Sequence, residues 1–456
     1  MRFLVLCLAF VGTAFASDPI REIFRQLVEI NTQDSDGNVT AAAEAMAARF
    51  KAAGFPDADI AIVGDAPKRK NLVVRYRGTG ASGLKPILLL AHLDVVEARR
   101  SDWTMDPYKL NEVDGQLYGR GTLDDKCMAA IFVANLLRYK ADGYQPSRDL
   151  ILALTAGEES GVDNGVDWLL KNRRDLIDAE YAINEGGGGR VRNGKKILLS
   201  VQAAEKTFAT FHIVAKNAGG HSSQPSKDNA IYHIADAMRK VRDYDFPVKL
   251  TEVTQAFFER MGTIETGEAG RDMALLSRAR ADAGAVTRMS NPPYNMGPQL
   301  RTTCVATMIS GGHAENALPQ SVDATVNCRV LPVETIAEVK QALTTVIGDP
   351  TLEITIGKDA ISAPASKLRD DVMGPIRSTV EEMWPGLPIV PTMSAGATDG
   401  KYLRNAGIPT YGVSGMFMEQ GENRAHGRDE RIPVTSLYES REFLYILVTK
   451  LALGSR

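Results

Sequence analysis

Apolar and polar positions change rhythm several times along this chain, and each change predicts an element. Residues 3–15 form an almost unbroken apolar run. Apolar residues recur at helical spacing over 19–30 and 41–53, and Gly54 stops the second run. Residues 71–76 and 86–90 predict strands, 125–139 a helix, 150–154 a strand, 165–172 a helix and 181–183 a strand. Strands alternating with helices imply an α/β fold: a central, mostly parallel sheet flanked by helices. The style shifts near Glu205. Residues 208–214 alternate like a half-buried strand, 230–241 predict a helix, and strands follow at 302–309 and 322–331. A helix over 334–346 and a strand over 352–356 complete a strand-helix-strand-strand-helix-strand order. That order describes a small two-layer α+β domain inserted in the larger one. The stretch 251–299 is extra and reads as helices and loop, and from about 362 the first pattern resumes, ending in a helix over 436–451. The expected division is a catalytic domain over 17–204 and 359–456, with an inserted lid or dimerisation domain over 205–358.

The first apolar run carries its own message. Met1-Arg2 gives a basic start, and Ala14-Phe15-Ala16 fits a small-x-small cleavage site before polar Ser17-Asp18. Residues 1–16 therefore read as a secretory signal peptide, too short to span a bilayer, and the mature chain is expected to be secreted or periplasmic. No other stretch is apolar for long enough to cross a membrane. A net charge of -3 gives no reason to expect nucleic acid or an anionic membrane as partner. Three cysteines remain after cleavage: Cys127, Cys304 and Cys328. Cys304 and Cys328 lie on two strand-like runs that an exported chain would expose to oxidant. Cross-strand bridging is geometrically demanding, so the expectation is two free buried thiols.

Candidate chemistry gathers just beyond predicted strands, where open α/β sheets bind ligands. His92-Leu93-Asp94 follows the second strand, and Asp94 points the same way as His92 in extended chain. Its carboxylate is placed to hold one ring nitrogen while the other meets a metal. Gly119-Arg120-Gly121-Thr122-Leu123-Asp124-Asp125-Lys126 sets Asp124 just before a helix. The two oxygens of such a carboxylate can bridge two cations, though an N-cap role also fits this position. Glu158 and Glu159 are adjacent beyond a buried strand and would repel each other unless a cation or proton intervened. Glu159 is assigned to metal and Glu158 to general base. Glu185 follows a third strand, and His426 lies in a polar loop before the last helix. With six histidines in the chain, His92 and His426 are not drawn from a large surface pool.

The ordered set His-Leu-Asp, Gly-Arg-Gly-x-x-Asp-Asp-Lys, Gly-Glu-Glu, Asn-Glu-Gly, Gly-Gly-His-Ser-Ser-x-Pro and a late His-Gly resembles the aminoacylase/carboxypeptidase family of co-catalytic zinc peptidases (clan MH). The resemblance covers nearly the whole mature chain. It is nearest the carboxypeptidase S branch and its N-acyl-amino-acid hydrolase relatives. It implies a two-zinc site, with cobalt or manganese also suiting the donors. Asp124 would bridge, His92 and Glu185 would complete one metal, and Glu159 and His426 the other. Glu158 would be the acid/base, and His221 would stabilise the oxyanion, reaching across from a partner subunit in dimeric members. Asn316 and Arg329 match positions that hold a substrate carboxylate, and Gly396 and Thr398 match a substrate-contacting loop. Cys127, Asn184 and Lys401 depart from the usual glycine, aspartate and arginine without removing a ligand. Cys127 is expected to be a small buried residue, and His212 and His233 to be structural. His313 is assigned no role.

The implied reaction is hydrolysis of an amide next to a free α-carboxylate, as in a metallocarboxypeptidase or dipeptidase acting on small peptides. An N-acyl-amino-acid amidohydrolase would use the same site. A metal-binding protein without catalysis is a third class, and retention of Glu158 beside all five ligands argues against it. A homodimer through the inserted domain is the expected assembly if His221 acts in trans.

Overall fold

The computed structural model describes residues 19–278, 281–358 and 360–453. The expected signal peptide at 1–16 lies outside the described residues. Among those described, no helix is long and apolar enough to cross a membrane.

A ten-stranded mixed sheet forms the centre. Its middle is parallel: Ile87–His92 lies between Leu150–Thr155 and Tyr181–Asn184, with Thr410–Gly412 parallel beyond. The strand Ile87–His92 is buried along its whole length. Leu72, Val74, Ile87, Leu89, Leu150, Leu152 and Leu154 pack in one core with Phe24, Met128, Phe132, Phe443 and Leu447. Val73, Leu88, Leu90, Ile151 and Ala153 pack on the other face with Val166, Leu169 and Leu403. Burial on both faces explains why these strands read as continuous apolar runs rather than alternations. The sheet's long strand Lys195–Glu205 and the short ones Gly189–Arg192 and Phe417–Glu419 were not foreseen.

The inserted unit is a four-stranded antiparallel sheet ordered Thr303–Gly311, Ser321–Val330, Thr207–Lys216, Glu353–Ile356. Helices Ala230–Asp243 and Ile336–Ile347 supply its separate core through Ile234, Ala237, Val241, Val339 and Leu343. Cys304 sits directly opposite Cys328, with Cα atoms 4.1 Å apart, and the two form a disulfide. This corrects the expectation of free thiols. The antiparallel register makes them a closely spaced cross-strand pair, which sequence spacing alone does not reveal.

The extra stretch forms helices Glu252–Ile264, Gly267–Leu276, Ala283–Ser290 and Gly297–Leu300. Sequence reading placed it within the inserted unit. Its core of Phe258, Met261, Met273, Leu276 and Met289 instead includes Leu198 and Val390 of the central sheet. It therefore covers the end of the large sheet, and that packing brings Met296 close to the site.

Candidate metal centre and active site

Three parallel strands end side by side. His92 closes one and pairs in register with Thr155, which closes the next. Gly157, at φ 74°, turns the chain beyond Thr155, and a Cβ there would meet Val162 O at 2.4 Å. Only glycine tolerates both conditions, so the turn presenting Glu158 and Glu159 depends on it. Glu185 follows Asn184, the end of the third strand. Asp124 arrives from the loop before helix Lys126–Ala141, and His426 from a loop in which it takes φ 63°.

These five residues meet as two triads that share Asp124. His92 Nε2 lies 2.9 Å from Asp124 Oδ1 and 3.9 Å from Glu185 Oε1. His426 Nε2 lies 3.2 Å from Asp124 Oδ2 and 2.9 Å from Glu159 Oε2. Each oxygen of Asp124 thus faces a different imidazole.

Burial would push the Asp124 carboxyl up, but hydrogen bonds from His426 and His92 overcome it and hold the group below the usual range. Burial raises Glu185 well above the ordinary carboxylate value, with Asp124's charge adding to it. Glu158 is likewise raised well above by burial, with Asp399, Glu159 and Asp124 contributing. Glu159 is pushed up to about 7, mainly by burial. Its Oε1 is buried without a hydrogen-bond partner. Crowded carboxylates that resist ionisation, an orphaned carboxylate oxygen and two imidazoles form a donor set that divalent cations satisfy. The residues fit a dinuclear metal site.

Supporting residues escaped sequence reading. Glu430 is fully buried, and its Oε1 accepts from the amides of Leu123 (2.6 Å) and Asp124 (3.1 Å). Arg120 pairs with its Oε2 at 2.6 Å and also donates to Gly427 O at 3.0 Å. Asp399 takes hydrogen bonds from Asn164 (2.6 Å) and Thr155 (3.2 Å), and burial pushes it up to about 6. No local pattern marks Glu430 or Asp399, because their partners are remote in sequence.

Asp94 does hold the second nitrogen of His92, but through its main-chain carbonyl at 2.9 Å. A carbonyl only accepts, so Nδ1 donates to it, and Nε2 is the nitrogen left facing Asp124 and Glu185, where it would offer its lone pair to a bound cation. The Asp94 carboxylate, 3.8 Å from Nδ1, instead accepts from the amides of Glu158 (3.3 Å) and Glu159 (3.0 Å). It shapes the glutamate turn, correcting the expected carboxylate–imidazole pair. Asp125 stands at the helix N-cap without making a side-chain cap bond.

The remaining predicted residues divide. His221 is exposed on a short two-stranded ladder with Ala317–Leu318, its Nδ1 2.8 Å from Ser223 Oγ, and the Asn316 carbonyl accepts from the Ser222 amide at 3.0 Å. Arg329 is half-buried under the Phe208 ring at 4.9 Å, and no ion pair is seen for it among the described residues. Gly396 is exposed and donates to Ser394 Oγ. Thr398 turns inward: its amide and hydroxyl both reach Glu205 Oε2 at 2.9 Å. Glu205 is itself paired with Arg404. Cys127 is buried and its thiol is pushed well up by burial, which leaves it unreactive. His233 bridges Asp228 and Asp349, and His212 faces Asp323, both within the inserted unit.

Beside the triads opens a cavity of about 610 Å³ that reaches Asp124 and Glu185. Leu123, Met128, Leu198, Met296, Met416 and Met418 give it apolar walls.

Sheet, inserted unit and paired triads together define a metallohydrolase. The chain belongs to peptidase family M20/M25/M40, whose model matches residues 88–450. It is 28% identical over 387 residues to a probable carboxypeptidase S-like protein of Dictyostelium discoideum, covering 83% of this chain and 74% of that one. It is also 28% identical over 384 residues to an N-fatty-acyl-amino acid synthase/hydrolase of Homo sapiens, covering 80% of this chain and 74% of that one. The crystal structure of an M20 family metallo-carboxypeptidase from Sulfolobus solfataricus shares the fold, with TM-score 0.69 at 17% identity over 95% of this chain and 99% of that one.

Proposed function

We propose that this chain is a two-zinc hydrolase that cleaves an amide bond next to a free α-carboxylate, as a carboxypeptidase or dipeptidase does. The observation that carries this reading is the pair of histidine–carboxylate triads sharing Asp124, with Glu158 beside them. His92, Asp124 and Glu185 would hold one ion, and Asp124, Glu159 and His426 the other. Bound zinc supplies Lewis acidity and lowers the pKa of an attacking water. Glu158 takes the proton from that water and returns it to the leaving amine. A carboxyl whose affinity for protons is raised suits both halves of this task. Arg329, half-buried and free of a carboxylate partner, binds the substrate's α-carboxylate with its planar fork. Asn316 assists it, and His221 on the same inserted unit donates to the oxyanion.

The exposure of His221 supports delivery from a second copy or by closure of the inserted unit. The sheet's outer strand Thr303–Gly311 leaves Val305, Met308 and Ile309 more than half exposed, which supports a homodimer across that edge. Export before residue 17 remains part of the reading, and the Cys304–Cys328 bridge supports it.

A second reading is favoured by the cavity. Its methionine-rich walls suit the acyl group of an N-acyl amino acid, the substrate type named for the human relative. Turnover of a dipeptide panel against N-acyl amino acids of rising chain length separates the two. Hydrolysis of neither by the zinc-loaded protein would refute the proposal.

A further inference from the structure

Arg190 stands in the wall of the cavity that reaches Asp124 and Glu185. It lies on strand Gly189–Arg192, in register with Leu198 on one side and Met418 on the other. Directly paired residues share a face of a sheet, so the guanidinium stem stands between two apolar wall residues. Both nearby carboxylates are already engaged. Glu265 accepts from both terminal nitrogens of Arg192, at 2.7 and 3.4 Å. Glu419, which also lines the cavity, accepts from the amides of Asn193 (2.7 Å) and Gly194 (3.2 Å). No ion pair of Arg190 is seen among the described residues. Burial, with the like charge of Arg192, lowers the guanidinium's hold on its proton, only partly offset by the charge of Glu265. The inserted-unit residues Asn316 and Arg329, assigned above to the α-carboxylate, do not line this cavity, which on that reading leaves it to the acyl side of the scissile amide.

We propose that Arg190 forms an anion subsite for the acyl side of the substrate, so that the preferred acyl group runs along apolar walls and ends in a carboxylate. The inference rests on the amide-hydrolase reading above. Water adds its oxygen to the acyl carbon, the C–N bond breaks and the amine leaves with a proton. The products are a dicarboxylic acid and an amino acid.

The test uses zinc-loaded protein and matched pairs of N-acyl derivatives of one amino acid: succinyl, glutaryl, adipoyl and suberoyl against butanoyl, pentanoyl, hexanoyl and octanoyl. At the best length the carboxylated member should exceed its neutral homologue in kcat/KM by at least about tenfold, the worth of one charged hydrogen bond. Arg190→Leu and Arg190→Gln should bring that ratio to about one or below, while Arg190→Lys retains part of it. A ratio near one at every length in the wild type, or one unchanged in Arg190→Leu, overturns the proposal. A fall in both members together, at constant ratio, also overturns it, because the residue would then act on the α-carboxylate or on folding. If no derivative is hydrolysed, the amide-hydrolase reading fails, and the subsite is judged by calorimetry with glutarate and adipate. Binding lost in Arg190→Leu supports the subsite, and absence of binding to the wild type overturns it.

Discussion

Arg120 and Glu430 lie 310 positions apart in sequence and meet at 2.6 Å, both buried. Through this pair the loop carrying Asp124 and the loop carrying His426 become one unit. Glu430 receives the amides of Gly121, Leu123 and Asp124, and Arg120 caps the carbonyl of Gly427. The Asp124 carboxylate, shared by both triads, and a histidine from the far end of the chain are thereby held in register.

Breaking one side of that pair leaves an uncompensated buried charge. Glu430→Ala should destabilise the fold by about 3–5 kcal/mol. Glu430→Gln, which keeps the shape, should remain folded and lose metal affinity by roughly 10- to 100-fold. Chemical denaturation and metal titration check the two effects. Wild-type affinity in Glu430→Gln would remove the pair from the metal site.

Glu158, the proposed proton carrier, is not among the candidate ligand groups. Glu158→Ala should lower kcat by about 10²- to 10⁴-fold. Metal content measured by mass spectrometry should stay at the wild-type level. Loss of metal together with activity would reassign Glu158 as a ligand.

Lys206 sits where the central sheet passes into the inserted unit, and its Nζ donates to Arg301 O at 2.7 Å. Burial pulls it down from the ordinary 10.5 to about 7. Between those values the unfolded chain binds a proton that the folded chain does not, so stability rises as pH climbs from about 7 toward 10.5. Wild type should therefore gain on Lys206→Met by up to about 1.4 kcal/mol per pH unit across this window. Denaturant melts at several pH values measure the difference, and a constant difference would contradict the account.

The Cys304–Cys328 bridge closes a loop with a sequence separation of 24. Chain-entropy reasoning assigns such a loop about 3 kcal/mol. Cys304→Ser/Cys328→Ser should melt lower than wild type in the absence of reductant. Equal melting with and without the bridge would place its benefit outside stability.

The candidate metal ligands were legible in sequence because each carries its own local signature, beyond a buried strand, before a helix or, for His426, in a late polar loop. His92, Asp124, Glu159, Glu185 and His426 all lie where such cues put them. The alternating inserted unit was legible for the same reason. What sequence could not show depends on who meets whom in space. Glu430 carries no local cue, since its role comes from Arg120 and three amides far away. Met296 reaches the cavity only because the extra helices pack on Leu198 and Val390. Asp94 was expected to face His92, yet two turn amides draw its carboxylate away. The strand Lys195–Glu205 was hidden by its opening lysines and its mixture of small and polar residues.

The central claim is that Asp124 stands between two metal ions. Anomalous diffraction from zinc-loaded crystals at the zinc edge tests it most directly. The account predicts two peaks about 3.5–4 Å apart, one beside His92 and Glu185, the other beside His426 and Glu159, with Asp124 between them. A single peak, or peaks away from Asp124, would contradict it.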